Sequence, residues 1–439
     1  MSFEHHMANK NSIGFPTATA IVIANMIGAG IFTSLGFQLV TTVNTWSIAI
    51  LWCLGALMAL CGALSYAEIA TYWSRSGGEY HFLSKAFHPL LGYLSGWVSL
   101  SIGFSAPIAL SGMALGAYVA PYLGISDMVL AIFTILIISF FHSISIKRSS
   151  IFQNSTTLLK LILILVIIYF GLSRTPESNA FLFDKSWKQE LLLPAFAVSF
   201  VYVTFSYSGW NAAAYIVDEI RDVRKNLPRA LLLGTLVVSL LYLLLNFVFL
   251  RQNALEAIQG HLEIGQLTAI SIFGERGGEL ISFAIALMLI SSISAMVWAG
   301  PRVTQVMAED HRLWRWFATK TKGNVPLRAI WLQTAITLLL LFTGTFEQVM
   351  IYSGFVLQLF AALAVASVFV VRRRKTGNNG FRSPFFPVPQ LIFLILSIWV
   401  LVYLVFAQPL ETGLGLLNLL VGFLVYRLDV FYSKNSHST

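Results

Sequence analysis

Long apolar runs, separated by short polar and basic segments, recur from residue 13 almost to the end of the chain. A helix needs about 20 apolar residues, rising 1.5 Å each, to cross a bilayer's hydrocarbon core. The pattern predicts twelve spans: 14–40, 43–71, 89–119, 127–146, 150–172, 191–219, 229–250, 278–307, 327–343, 347–371, 388–407 and 410–428. The first and the sixth are interrupted at mid-depth.

In the first span, Ile27-Gly28-Ala29-Gly30-Ile31-Phe32 sets two glycines around an alanine. Each Gly costs about 1 kcal/mol of helix propensity against Ala, and each unsatisfied backbone group in hydrocarbon costs several kcal/mol. Such a stretch makes a poor plain span. It suits a helix that stops, exposes main chain to something other than lipid, and restarts near Ile31. The second half-helix would aim free N–H groups and a positive dipole end at a small anion. That reads as a carboxylate site in a membrane transporter. In the sixth span, Phe205-Ser206-Tyr207-Ser208-Gly209-Trp210-Asn211 is polar and contains glycine, a composition that breaks helices and frees carbonyls. Either interruption alone could be a close-packing face of small residues. Together they open successive groups of five spans, the arrangement expected of an inverted-repeat transporter.

Composition agrees with a bilayer as solvent. Of 439 residues, 57% are apolar and only 11% charged, less than half the globular norm of about 25%. The net charge of +9 invites a nucleic-acid reading, but its distribution argues against one. With the N-terminus cytoplasmic, 22 of the 28 Lys and Arg fall on cytoplasmic segments and 5 outside, as the positive-inside rule requires. Both termini are then cytoplasmic and the cell (inner) membrane is the expected location. A polar tail precedes the first run and no small-residue cleavage site follows, so a removed signal peptide is not expected. Cys53 and Cys61 share one apolar segment and are expected as free thiols. Residues 76–80, Ser-Gly-Gly-Glu-Tyr, lead into a short amphipathic stretch to Phe87, read as an interfacial helix or as a plain connecting loop. Glu68 lies near a cytoplasmic end, where it can reach water or a basic partner.

Lys160 is the one cation left inside the membrane. It stands about eleven residues, or about 16 Å, into the fifth span, close to the midplane of a ~30 Å core. Its stem cannot snorkel that far, so the ammonium must face protein or a water-filled cavity, at about 2.5–3.5 kcal/mol on insertion scales. It is either a coupling cation or a structural cap on the carbonyls of a broken helix, and the two roles overlap.

Four stretches then carry a resemblance: Asn25-Met26-Ile27-Gly28-Ala29-Gly30-Ile31-Phe32, residues 76–80, residues 205–211, and Asp218-Glu219-Ile220-Arg221 running into Asn226-Leu227-Pro228-Arg229-Ala230. From about residue 13 to 428 the chain resembles the amino acid–polyamine–organocation superfamily, and within it the L-type amino acid transporters and their prokaryotic relatives. The resemblance implies an all-α LeuT-like fold of 5+5 inverted repeats plus two C-terminal helices. The segments would be a tail (1–12), a first repeat (13–172), a second repeat (173–375) and a final helix pair with its tail (376–439). It implies that N–H groups around Gly28, Ala29, Gly30 and Ile31 hold a substrate carboxylate. Carbonyls of Ile27, Phe205, Ser206 and Ser208 would take its ammonium. The Phe205 ring would be a gate, with Trp210 and Asn211 lining or bracing the site. Lys160 matches a lysine that replaces the coupling cation of sodium-dependent relatives and bridges the broken helix to the eighth span through Ser291, Ser292 or Ser294. The animal members' partner-tethering cysteine is missing from residues 120–127, so no disulfide-linked heavy chain is expected. Ser208 stands where Gly is common, which narrows the subsite toward small neutral amino acids.

Rival classes fare worse. A channel would call for a ring of acidic residues or a repeated carbonyl filter, and neither is visible. An enzyme would need a nucleophile–base set or metal ligands. His5, His6 and His437 lie in tails, while His81, His88, His261, His311 and His142 lie in loops or near span ends without ligand spacing. No cofactor or metal is called for. Cationic amino acids or polyamines would want an acidic residue at the midplane, and large neutral amino acids a roomier subsite. Transport is expected as one-for-one exchange or as proton-coupled import with Lys160 exchanging the proton.

Overall fold

The computed structural model describes residues 13–144, 147–177, 181–321, 325–374 and 380–435, without the side chains of 147–154 and 434–435. The expected tail over residues 1–12 lies outside the described residues. So do Lys322, Lys375 and His437, and the side chains of Lys147, Arg148 and Lys434.

The chain leaves the helical conformation between α1 (Phe15–Met26) and α2 (Ala29–Leu39). Ile27 has ψ 91° and Gly28 is extended at φ −129°, ψ −153°. Next come α3 (Thr45–Tyr72), opened by an Asn44 cap on the Trp46 N–H, and α4 (Glu79–Ala86). α5 (Pro89–Val98) runs through a π-turn at Ser99–Gly103 into α6 (Ser105–Leu123), which stops at Gly124 in the left-handed conformation. α7 (Asp127–Ile144) and α8 (Lys147–Ser173) follow. After the short α9 (Trp187–Glu190), α10 (Pro194–Ser206) ends in a turn that leads to a 3₁₀ segment, Ala212–Glu219. α11 (Val223–Gln252), α12 (Leu255–Ile258), α13 (Ile264–Phe273) and α14 (Glu275–Asp310) come next. A 3₁₀ turn at Arg312–Ala318 leads to α15 (Leu327–Thr343), α16 (Phe346–Arg373), α17 (Val388–Ala407) and α18 (Pro409–Asn435).

Ten of the described spans are long and apolar enough to cross a membrane. α10 and α15, which fall within the expected spans 191–219 and 327–343, have 13 and 17 residues and fall short of that length. The burial pattern is that of a membrane protein: Phe133, Phe141, Leu240, Ile395 and Leu414 point outward and are exposed, where lipid rather than water must meet them. Inside, α1 packs against α8, α11 and α14, and α2 against α10. Ile13 and Ile220 form a parallel bridge, with the Ile13 N–H donating to Glu219 O (2.7 Å) and the Arg221 N–H to Ile13 O (2.9 Å). The entry to the first span is thereby tied to the end of the sixth.

Two expectations about the segment ends are refined. α4 does not lie on the surface as an amphipathic interfacial helix would: Glu79, Tyr80, His81, Phe82, Leu83 and Ala86 are all buried, against α5 and α16. Glu68 is buried too, and its partner is basic. Arg372 donates from Nε (2.7 Å) and Nη2 (2.8 Å), and the Ser383 N–H adds a third bond at 2.8 Å. Breaking a buried pair from one side costs about 3–5 kcal/mol, because a charge is left uncompensated. Arg372→Met should therefore lower the melting temperature of the detergent-solubilised protein clearly, and the double change with Glu68→Met should regain much of the loss. A double variant no more stable than Arg372→Met would show that the pair is not coupled.

Candidate functional site

A helix that ends inside an apolar interior strands its last carbonyls. Here side chains from three other helices satisfy them. The Lys160 ammonium on α8, fully buried, donates to the carbonyls of Ala24 (3.1 Å) and Ile27 (2.9 Å) and to Ser292 Oγ (2.7 Å). Ser292 on α14 donates in turn to Ile27 O at 2.9 Å, and the Tyr242 hydroxyl on α11 caps Met26 O at 2.6 Å. The Ile27 carbonyl thus already accepts two donors from within the protein. Of the three candidate serines, Ser292 alone reaches the lysine. Ser291 donates to Thr156 at 2.7 Å and Ser294 pairs with His142 at 2.8 Å, so neither joins the bridge.

Across the break, the N-cap Gly28 offers no side-chain cap to α2, so its buried first-turn N–H groups present an uncapped positive helix end that suits an anion. Close approach of α10 explains why the position is Gly30: a Cβ there would sit 2.7 Å from both Cα and Oγ of Ser206. The Ser206 hydroxyl donates to Tyr202 O (2.8 Å) and meets Ser34 Oγ on α2 (2.8 Å), joining the two broken segments. Gly209 has φ 97° and lies on the main chain of Asn25, 2.7 Å from where its Cβ would be. A side chain is excluded there twice over, by strain and by contact.

Next to this junction lies a cavity of about 120 Å³. Phe205, Ser208, Gly209, Trp210 and Asn211 border it, together with Asn25 from α1. Ile27, Gly28, Ala29, Gly30, Ile31 and Ser206 do not. Trp210 is braced edge-on by Tyr66 (4.7 Å between centroids) and Phe393 (5.9 Å). Asn211 Nδ2 donates to Glu79 Oε1 (2.9 Å) and meets the Tyr215 hydroxyl (3.2 Å).

Glu79 is the residue that sequence reasoning overlooked. It borders the same cavity, is 6% exposed, and also accepts from the Tyr66 hydroxyl at 2.6 Å. Its signal was the preceding Gly77-Gly78 pair, with φ 116° and 55°, which turns the chain inward where an interfacial helix or a connecting loop was expected. Cys53 and Cys61 are free thiols. Among the described residues no three His, Cys, Asp or Glu gather into a set able to hold a metal ion.

Comparison with known proteins agrees with this architecture. The amino acid permease family model matches residues 13–425. The chain is 29% identical to the serine/threonine exchanger SteT of Bacillus subtilis (strain 168) over 427 residues, covering 95% of this chain and 96% of that protein. It is 29% identical to the human b(0,+)-type amino acid transporter 1 over 438 residues, 96% of this chain and 88% of the relative. The human cystine/glutamate transporter is 26% identical over 440 residues, 97% of this chain and 86% of the relative.

Proposed function

The chain belongs to the amino acid permease family, within the amino acid–polyamine–organocation superfamily, and we propose that it exchanges small neutral L-amino acids across the membrane without sodium. It is a multi-pass membrane transporter and not an enzyme. In our reading twelve crossings form, with α10 plus its 3₁₀ extension as the sixth and α15 as the ninth. They are arranged as LeuT-like 5+5 inverted repeats over 13–172 and 173–375, followed by the pair within 376–439. The termini are cytoplasmic by the positive-inside count, and no disulfide-linked heavy chain is required.

The observation that carries the reading is the uncapped N-terminus of α2 set beside the turn after α10. The N–H groups of Ala29, Gly30 and Ile31 hold the carboxylate. The carbonyls of Phe205, Ser206 and Ser208 receive the ammonium; the Ile27 carbonyl is already doubly engaged and the Phe205 carbonyl accepts the Ser208 N–H at 2.9 Å, so Ser206 and Ser208 carry most of that pole. Neither pole needs a charged side chain. Phe205 gates the site, Trp210 and Asn211 brace it, and the Ser208 hydroxymethyl limits side-chain size. Because the cavity stops short of residues 27–31, Phe205 and the Ser206–Gly30 contact must part before a substrate seats. The conformation at hand is then one with the carboxylate site closed off.

Sodium independence follows from Lys160. Its ammonium already occupies the carbonyls of Ala24 and Ile27 and the Ser292 hydroxyl, the kind of oxygen set a sodium ion would need. Exchange is favoured by the likeness to SteT, a serine/threonine exchanger that aligns over nearly the whole chain. A second reading, proton-coupled import, is favoured by a buried lysine with three oxygen acceptors and no carboxylate on it. Uptake of labelled serine into proteoliposomes separates the two. Exchange predicts uptake that rises on preloading with amino acid and ignores a pH gradient. Uptake driven by the gradient into empty vesicles would instead establish import, and uptake that requires sodium would defeat both.

A further inference from the structure

The cavity beside the broken helices is bordered by one acidic side chain that has no basic partner among the described residues. Of the side chains that border it, Glu79 alone is formally charged; its neighbours include Ser99, Asn211 and Tyr215. Glu79 Oε1 is held by the Tyr66 hydroxyl and the Asn211 amide, while Oε2 is buried and takes no hydrogen bond. Among the described residues no Lys, Arg or His forms an ion pair with it. His81, on the same helix, is kept neutral near pH 7: burial first, then Arg75 and Lys85, push its imidazole down to about 4. A carboxylate taken from water without a cation costs several kcal/mol, so the arrangement is incomplete until a positive group arrives.

We propose that Glu79 is a second ammonium-binding point on the substrate's path. It takes up the α-ammonium of an amino acid as that molecule moves between the Phe205 gate and the mouth of the cavity. The inference rests on the transport reading above, because it needs the cavity to be part of that path. Tyr66 and Asn211 donate to one oxygen of Glu79 and the Tyr215 hydroxyl also bonds to the carboxylate; Oε2 is buried without a hydrogen bond, so an incoming N–H reaches it as the cavity wall shifts. An ammonium suits this better than a metal ion, which would call for several oxygen ligands, and no second acidic side chain borders the cavity. Hydroxyls of Tyr215 and Ser99 on the same wall supply further acceptors. The point is absent from the carboxylate-first picture of the broken helix, and it gives the departing zwitterion a place to pause in a space otherwise lined by rings, amides and hydroxyls.

The test uses the full-length chain in proteoliposomes with two probes of equal size, propylamine and 1-propanol. Neither carries the carboxylate that the α2 N-terminus would bind, and only the amine is cationic. Propylamine should slow wild-type serine exchange severalfold at millimolar concentration, and propanol should not. Glu79→Gln keeps an oxygen for Tyr66 and Asn211 but loses the charge. It should bind serine with near-wild-type affinity, turn over about tenfold more slowly, and ignore propylamine. Equal effects of amine and alcohol on the wild type, or equal inhibition of wild type and Glu79→Gln, would overturn the proposal. If Glu79→Gln does not fold, Glu79→Asp takes its place: drawing the charge back by one methylene should weaken propylamine inhibition severalfold, and inhibition equal to that of the wild type would overturn the proposal. Failure of the wild type to bind any amino acid would instead sink the transport reading itself, and this proposal with it.

Discussion

Lys160→Ala should lose transport by about a hundredfold while the protein still folds and inserts. The ammonium makes three charge-assisted hydrogen bonds, each worth about 1.5–3 kcal/mol. Removing it also removes a buried cation whose insertion costs about 2.5–3.5 kcal/mol, which offsets part of that loss. The effect on the cycle has no such offset. Lys160 ties the end of α1 to α8 and, through Ser292, to α14, the helices that must keep register while the broken segment moves. A bias of about 2.8 kcal/mol between the two end states corresponds to the expected hundredfold loss, each 1.4 kcal/mol being tenfold. Counterflow of labelled amino acid, normalised to monodisperse protein, measures it. Wild-type flux in the variant would remove Lys160 from the coupling role.

Gly30→Ala should be nearly as damaging, for a steric reason. The new methyl would lie 2.7 Å from the Ser206 Cα as well as its Oγ, and a backbone atom cannot rotate away. Overpacking of this kind costs about 1–3 kcal/mol and pushes α2 from α10 at the point where the substrate's two poles are to be held. Substrate affinity should fall about ten- to a hundredfold. Gly413→Ala on α18 is the control, since nothing lies within 4 Å of its added Cβ, and it should change neither affinity nor rate. Unchanged affinity in Gly30→Ala would mean that the substrate site is elsewhere.

Much of this was legible from the pattern of apolar positions, because hydrocarbon leaves a chain few options. Run length marks most of the spans, and a single lysine in an apolar run announces a buried cation. Rotation of a helix about its axis is a different matter. Ser291, Ser292 and Ser294 are 100° apart per residue on α14, and only packing reveals that the middle one faces Lys160. Short elements also escape: α12 and α13 were not anticipated between α11 and α14, since 4 and 10 residues leave no periodic signature among polar neighbours. Glu79 was missed for a related reason. Ser-Gly-Gly-Glu-Tyr reads as solvent-exposed by composition, whereas the positive φ of both glycines folds the acid inward. That the cavity stops short of residues 27–31 is set by how two broken segments meet, which no local stretch encodes.

The account depends on main chain gripping a zwitterion, and a structure determined with bound serine by electron cryo-microscopy tests it most directly. The carboxylate should lie about 2.7–3.2 Å from the N–H groups of Ala29, Gly30 and Ile31, with the ammonium on carbonyls of the turn after α10. A carboxylate resting instead on an Arg or Lys side chain, with those N–H groups empty, would contradict it.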